Sequence, residues 1–280
     1  MCLLELKLNQ ELQLWHFYMN NTGTEKKKRV AGKKIRRGIY ILPNLFTSLN
    51  IFCGFYAVIC SIDGRYVAAA VSIIIAVIFD ALDGKIARAT HTTSKFGVEY
   101  DSLADLISFG LAPGLMVYLW VLKHLGRIGW LAAFLFLVCG ALRLARFNTH
   151  AGTSDNNYFT GLPIPAGAGM SASAVLFCHR FGVSPNPVFI LISLNMLSFL
   201  MVSAIKYNSF KKPELFKRMN FNVLVASILI LIFIAAEPSI ALFLMGLLYV
   251  FSGPLMIVKN YKDVKQNKAK IEKIKESSSD

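Results

Sequence analysis

Eight stretches of this chain are apolar over about 20 residues, the length a helix needs to cross the hydrocarbon core of a bilayer. They fall at approximately 44–62, 65–83, 102–122, 128–147, 163–179, 187–205, 221–236 and 239–258. Lipid offers no partner to a bare backbone N–H or C=O, so such runs fold as helices whose polar groups bond within the segment. The sequence therefore reads as all-α: a polytopic membrane helix bundle of about eight transmembrane helices. Pro43, Gly64, Gly126, Pro163, Pro187 and Pro238 mark several of the ends. Only 16% of the residues are charged, against about 25% in soluble domains.

The net charge of +14 would suit nucleic acid, but its placement does not. Lys and Arg sit in short clusters beside the apolar runs, where anionic membrane lipids would meet them, so no nucleic-acid partner is expected. With eight spans, 26 of the 30 basic residues fall on the side that holds both termini and the loops near 84–101, 143–162 and 206–220. Only Arg65, Lys123, Arg127 and Arg180 fall on the other. This asymmetry predicts an integral protein of the cell or inner membrane with both termini and those loops cytoplasmic.

Three regions follow. Residues 1–38 form a basic cytoplasmic N-terminal extension, with the juxtamembrane segment KKKRVAGKKIRR at 26–37. Residues 39–258 form the membrane domain, and 259–280 a charged cytoplasmic tail. The first twenty residues lack a basic stretch ahead of a continuous apolar run, so they do not read as a cleavable signal peptide. The five cysteines lie far apart with no CxxC pair, which indicates neither a zinc knuckle nor a disulfide framework.

Of sixteen acidic residues, five fall between positions 80 and 105: Asp80, Asp83, Glu99, Asp101 and Asp105. A carboxylate in or beside a span costs about 2.5–3.5 kcal/mol or more to insert. Asp80 and Asp83 stand three apart, Asp101 and Asp105 four apart, so each pair shares a helix face. If the two helices pack together, four carboxylates meet, and like charges so crowded call for protons or cations. All-oxygen ligation without His or Cys points to Mg²⁺ or Mn²⁺. Two such ions would clamp a phosphoryl group. Gly84 lets a ligand approach the backbone, Arg88 one turn on can neutralise a pyrophosphate, and Gly97 leaves space for a ligand or for packing. An ion-pair network with Arg88 and Lys95 is the alternative, but it has too few cations for five acids.

The pattern Asp80-x2-Asp83-Gly84-x2-Ala87-Arg88-x8-Gly97-x3-Asp101-x3-Asp105 resembles the signature of the CDP-alcohol phosphotransferases, with eight fixed residues across 26 positions. The resemblance implies that family's fold and a dimetal enzyme with two divalent cations, Mg²⁺ or Mn²⁺, as cofactors. It implies Asp80, Asp83, Asp101 and Asp105 as metal ligands, Asp105 also as the catalytic general base, and contacts from Gly84, Ala87, Arg88 and Gly97 to the nucleotide and its phosphates. The flanks LPNLFTSLNIFCGFYA (42–57), FGVEYDSLADLISFGLAP (96–113), LRLARFN (142–148) and GLPIPA (161–166) resemble the serine-accepting branch of the family. CDP-diacylglycerol and L-serine are then the implied substrates, with attack of the serine hydroxyl releasing CMP, and a homodimer is implied as well.

Five residues join the site as secondary candidates. Asn44 and Thr47 are either nucleotide contacts or helix caps. Ser94 either touches phosphate or is an exposed loop serine. Arg143 and Arg146, one turn apart, either hold the serine carboxylate or a phosphate, or snorkel to the interface. Three rival functions differ in testable ways. A sibling enzyme accepting glycerol 3-phosphate, inositol phosphate or choline would run the same chemistry, and the phosphorylated acceptors would need extra cations. A divalent-cation transporter would place its acids near the bilayer midplane, often within repeats. A lipid-binding scaffold would not depend on Asp105.

Overall fold

The computed structural model describes residues 41–90, 94–150, 158–208, 232 and 236–255. The N-terminal extension and the charged tail lie outside the described residues, as does nearly all of the expected span at 221–236.

Helix α1 (Ile41–Ile62) and helix α2 (Tyr66–Ala89) form an antiparallel hairpin. Its turn closes through Gly64, whose φ of 74° is open to glycine at no steric cost. Next comes a continuous rod: α3 (Lys95–Asp105), a π turn (Leu106–Leu111) and α4 (Ala112–Trp120). A short 3₁₀ turn (Leu122–Leu125), ended by Gly126 at φ 56°, leads into α5 (Arg127–His150). Helices α6 (Ile164–Phe181) and α7 (Pro187–Val202) follow, and α8 (Pro238–Leu255) is the last described element. Pro187 and Pro238 stand at the first helical position, where no N–H is missed. Pro163 is the N-cap of α6.

Polarity is inverted relative to a water-soluble protein. Phe52, Phe55, Phe134, Phe189, Phe199 and Leu248 are exposed, while Thr47, Asn50, Asp83, Asp105 and Ser108 are buried. A bilayer accepts that outer surface and leaves the interior to polar contacts and close packing. The α1–α2 seam is built from small residues, Ala57, Cys60, Ala69, Ala70 and Ala76, with Ile73 among them. Larger side chains, Phe109, Met116, Phe136, Ile164 and Met201, fill the centre. The chain is an integral membrane protein of helical architecture.

Among the described residues, five helices are long and apolar enough to cross a membrane: α1, α2, the α3–α4 rod, α5 and α8. α7 has 16 residues and α6 has 18, so the expected count of eight is not established. Among the described residues the departure from helix is an antiparallel ribbon of three residues per strand, β1 (Tyr158–Thr160) against β2 (Lys206–Asn208). It follows the loop after α5 and the end of α7, and Leu162 N–H donates to Leu200 O at 3.0 Å beside it.

Two helices overrun their apolar windows. The third was expected from 102 but begins at Lys95, and the second was expected to 83 but continues to Ala89. Backbone hydrogen bonding continues through polar residues that merely lie outside lipid, so hydropathy marks the span and not the helix. Asp83, Gly84, Ala87, Arg88 and Asp101 are all helical as a result.

Candidate active site

Helices α1, α2 and α3 meet at the end of the hairpin away from Gly64, and each contributes one stripe. From α1 come Asn44, Thr47 and Asn50, spaced by three. From α2 come Asp80, Asp83, Gly84, Ala87 and Arg88, and from α3 come Gly97, Asp101 and Asp105. One carboxylate oxygen each of Asp80, Asp101 and Asp105 lies within 4.8 Å of the other two. The i+3 and i+4 spacings predicted an encounter of four carboxylates, and this trio brings three of them together.

Asp83 stands outside that trio. It is buried and accepts a hydrogen bond from Thr47 Oγ1 at 3.1 Å. It remains close enough to Asp80 and Asp101 for their charges to interact. Arg143 of α5 faces the group from another side and acts electrostatically on Asp105 and Asp80. Among the described residues its buried Nε has no hydrogen-bond partner, and neither has the buried Oδ1 of Asp101. One guanidinium beside four carboxylates leaves the cluster short of positive charge. An orphaned carboxylate oxygen in an all-oxygen donor set is what a hard divalent cation coordinates. Asp80, Asp101 and Asp105, with Asp83 adjacent, therefore fit such an ion.

Beside the carboxylates lies a cavity of about 240 Å³. Asn44, Thr47, Gly84, Ala87, Arg88, Ser94 and Gly97 all line it, together with Asp83 and Asp101. The seven residues that the sequence assigned to nucleotide contacts thus border one space, while Arg143 and Arg146, the candidates for serine or phosphate, are not among its lining residues. The local reasons differ. A Cβ on Gly84 would meet nothing nearer than an Arg88 nitrogen at 3.9 Å, so the missing side chain leaves open room. A Cβ on Gly97 would come within 3.2 Å of Ser94 Oγ, so there the glycine serves packing.

Ser94 is the N-cap of α3, its hydroxyl accepting from Gly97 N–H at 3.0 Å. It borders the cavity in that role and is not a plain loop residue. Asn44 and Thr47 are not caps, because α1 begins at Ile41. Arg88 is exposed, and its Nε donates to Gly84 O at 2.8 Å, which folds the guanidinium back over its own turn. Arg146 is exposed and donates to Val202 O at 3.5 Å, at the end of α7. The structure places Arg143 against the acids.

Several polar residues at the site were not singled out from sequence. Asn50 donates through Nδ2 to Asp105 Oδ1 at 3.4 Å. Asn148 donates to Ser102 Oγ at 2.9 Å, tying α5 to α3 next to Asp101. Ser48 and the Tyr100 hydroxyl pair at 2.9 Å. The available signal was helical phase: Asn50 follows Thr47 by three in an apolar run, on the same face. The π turn had no such signal. Ala112 N–H bonds five residues back to Ile107 O. Pro113 follows, whose ring would crowd the carbonyl four back in a regular helix, and the wider turn relieves that crowding.

The fold and this acidic site define a class of membrane protein. The family model described as CDP-alcohol phosphatidyltransferase matches residues 40–202, and the chain belongs to that family. Among curated relatives, the CDP-diacylglycerol–serine O-phosphatidyltransferase of Helicobacter pylori (strain ATCC 700392 / 26695) is 40% identical over 215 residues, covering 76% of this chain and 90% of the relative. The protein of that name from Bacillus subtilis (strain 168) is 37% identical over 171 residues, 61% of this chain and 92% of the relative. The archaetidylserine synthase of Methanothermobacter thermautotrophicus (strain Delta H) is 39% identical over 168 residues, 59% and 69% of the two chains.

Proposed function

We propose that this chain transfers a phosphatidyl group from CDP-diacylglycerol to the hydroxyl of L-serine, giving phosphatidylserine and CMP. The observation that carries the reading is the carboxylate trio of Asp80, Asp101 and Asp105 opening beside a cavity lined by all of the signature's small and basic residues. The names of relatives at 37–40% identity supply the serine.

The cytidine diphosphate lies in the cavity between α1, α2 and α3, with Gly84 and Ala87 giving the nucleotide access to the backbone and Arg88 unfolding toward its phosphates. Asp80, Asp83, Asp101 and Asp105 hold divalent cations, Mg²⁺ or Mn²⁺, whose chemistry when bound is to neutralise the pyrophosphate oxygens. Serine binds beside Asp105 with its carboxylate toward Arg143. Asp105 accepts the hydroxyl proton as the serine oxygen attacks the phosphorus that bears diacylglycerol. A new P–O bond forms to serine, the P–O bond of the pyrophosphate bridge breaks, and CMP leaves with the bridging oxygen.

The positive-inside asymmetry puts this end of the bundle on the cytoplasmic side. There serine and CMP exchange with water while the acyl chains stay in lipid. Acceptor choice is tested by supplying the detergent-solubilised protein with CDP-diacylglycerol and Mn²⁺ and identifying the lipid product by mass spectrometry. Serine, glycerol 3-phosphate, inositol phosphate and choline are offered separately. Phosphatidylserine alone supports the reading, and product from one of the other acceptors replaces serine while leaving the site intact.

A further inference from the structure

Asn50 is completely buried, at 0% exposure, on the face of α1 that also carries Thr47. Its side chain is half-satisfied. Nδ2 donates to Asp105 Oδ1 at 3.4 Å, long for an N–H···O contact, while Oδ1 is buried with no partner among the described residues. An orphaned buried carbonyl destabilises the fold, and an apolar side chain of the same branching would avoid that cost. Packing alone would favour leucine here, so the amide is explained by its other end.

The surroundings of Asn50 bear this out. Its backbone carbonyl accepts from Ser108 Oγ at 2.9 Å, one turn past Asp105 and inside the π turn. One turn further along α1, a Cβ on Gly54 would lie 2.7 Å from Ser108 Cα, so α1 and the π turn touch backbone to backbone. One turn in the other direction, Thr47 donates to Asp83. A single stripe of α1, Thr47, Asn50 and Gly54, thus spends one donor on each acid-bearing helix and a glycine on bringing the rod close. The contact at Asn50 is fixed in register from both sides.

We infer that Asn50 is a positioning residue: its amide holds the Asp105 carboxylate in the orientation that turnover requires, and it is kept at the expense of fold stability. The inference rests on the transferase reading of the site. It distinguishes Asn50 from an ordinary core polar group, because function and stability should respond in opposite directions.

The test compares wild type with Asn50→Leu, which keeps the branching without the donor, and Asn50→Ser, which is smaller and cannot reach Asp105. Serine-dependent CMP release is measured at saturating Mn²⁺, with kcat and KM for CDP-diacylglycerol separated, alongside Tm in the same detergent. We expect kcat to fall about 10–100-fold in both variants, as for other groups that orient a functional carboxylate. KM should stay within about twofold, and the Tm of Asn50→Leu should equal or exceed wild type. Unchanged kcat in either folded variant overturns the inference, as does a loss of kcat matched by a fall in Tm in both. If wild type itself releases no CMP with serine, it is the transferase reading that fails.

Discussion

Asp105 and Asp101 sit one turn apart, yet they answer to different physics. Asp105 is buried, receives the Asn50 amide and faces Arg143. Asp105→Asn keeps the shape and removes the proton acceptor, so CMP release should fall by about 10²–10⁴-fold with Tm unchanged or raised. Asp101 carries the orphaned oxygen, so Asp101→Asn should show first as weaker Mn²⁺ binding in a calorimetric titration of the protein without substrate. Gly84 and Gly97 make a contrasting pair. Gly84→Ala meets no protein atom within 3.9 Å and should raise KM for CDP-diacylglycerol without moving Tm. Gly97→Ala pushes on the Ser94 cap, and there Tm should drop, by an amount bounded by a lost N-cap of about 1 kcal/mol. The acids, Gly84 and Arg88 were legible because cost and spacing single them out: carboxylates are expensive near lipid, and gaps of three and four align them. Asn50 was not, because one amide in an apolar run carries little cost, and its purpose is visible only when another helix supplies the carboxylate.

Helices show the same division between what a sequence encodes locally and what packing decides. The apolar runs located α1, α2, the α3–α4 rod and α5, and the turn residues Gly64 and Gly126 sit where a positive φ is required. Helix limits were misjudged at Lys95 and Ala89, because hydropathy reports lipid contact and polar residues extend a helix without changing its hydrogen bonds. The π turn was invisible, since it arises from the rod as a whole. Pro113 cannot donate, and the helix widens ahead of it over Leu106–Leu111, directly after Asp105. Gly54→Val tests the packing at this scale. Its added side chain would drive Ser108 away from α1, and overpacking of this kind costs about 1–3 kcal/mol. Activity and Tm should therefore fall together, the opposite of the pattern expected at Asn50.

The whole molecule is organised by two asymmetries, charge across the membrane and polarity from inside to outside. An eight-span reading of the sequence is expected to put most basic residues on the side of the acidic site and to leave Arg65, Lys123, Arg127 and Arg180 on the other. Two of these are already paired: Arg65 with Asp63 at 2.9 Å and Arg180 with Glu237 at 2.7 Å. The Arg180 guanidinium holds the Glu237 carboxyl below its ordinary range. That contribution is present above the ordinary carboxylate range and is lost as pH falls through the lowered value. The pair is exposed and screened by water, so Glu237→Gln should leave Tm unchanged at neutral pH. Orientation is checked by single cysteines placed at Thr90 and at Gly64 in a cysteine-free background. An impermeant maleimide added to right-side-out vesicles should label the Gly64 site and spare the Thr90 site, and the reverse pattern would invert the topology.

The claim at the centre of this account is that the carboxylate cluster of α2 and α3 is where the phosphatidyl group changes hands. The most direct measurement is CMP release from CDP-diacylglycerol and Mn²⁺ by the purified protein, with and without L-serine, for wild type and Asp105→Asn side by side. Release by wild type should require serine, stop with EDTA, and be lost in a variant that remains folded. Wild-type rates of serine-dependent release from folded Asp105→Asn would contradict it.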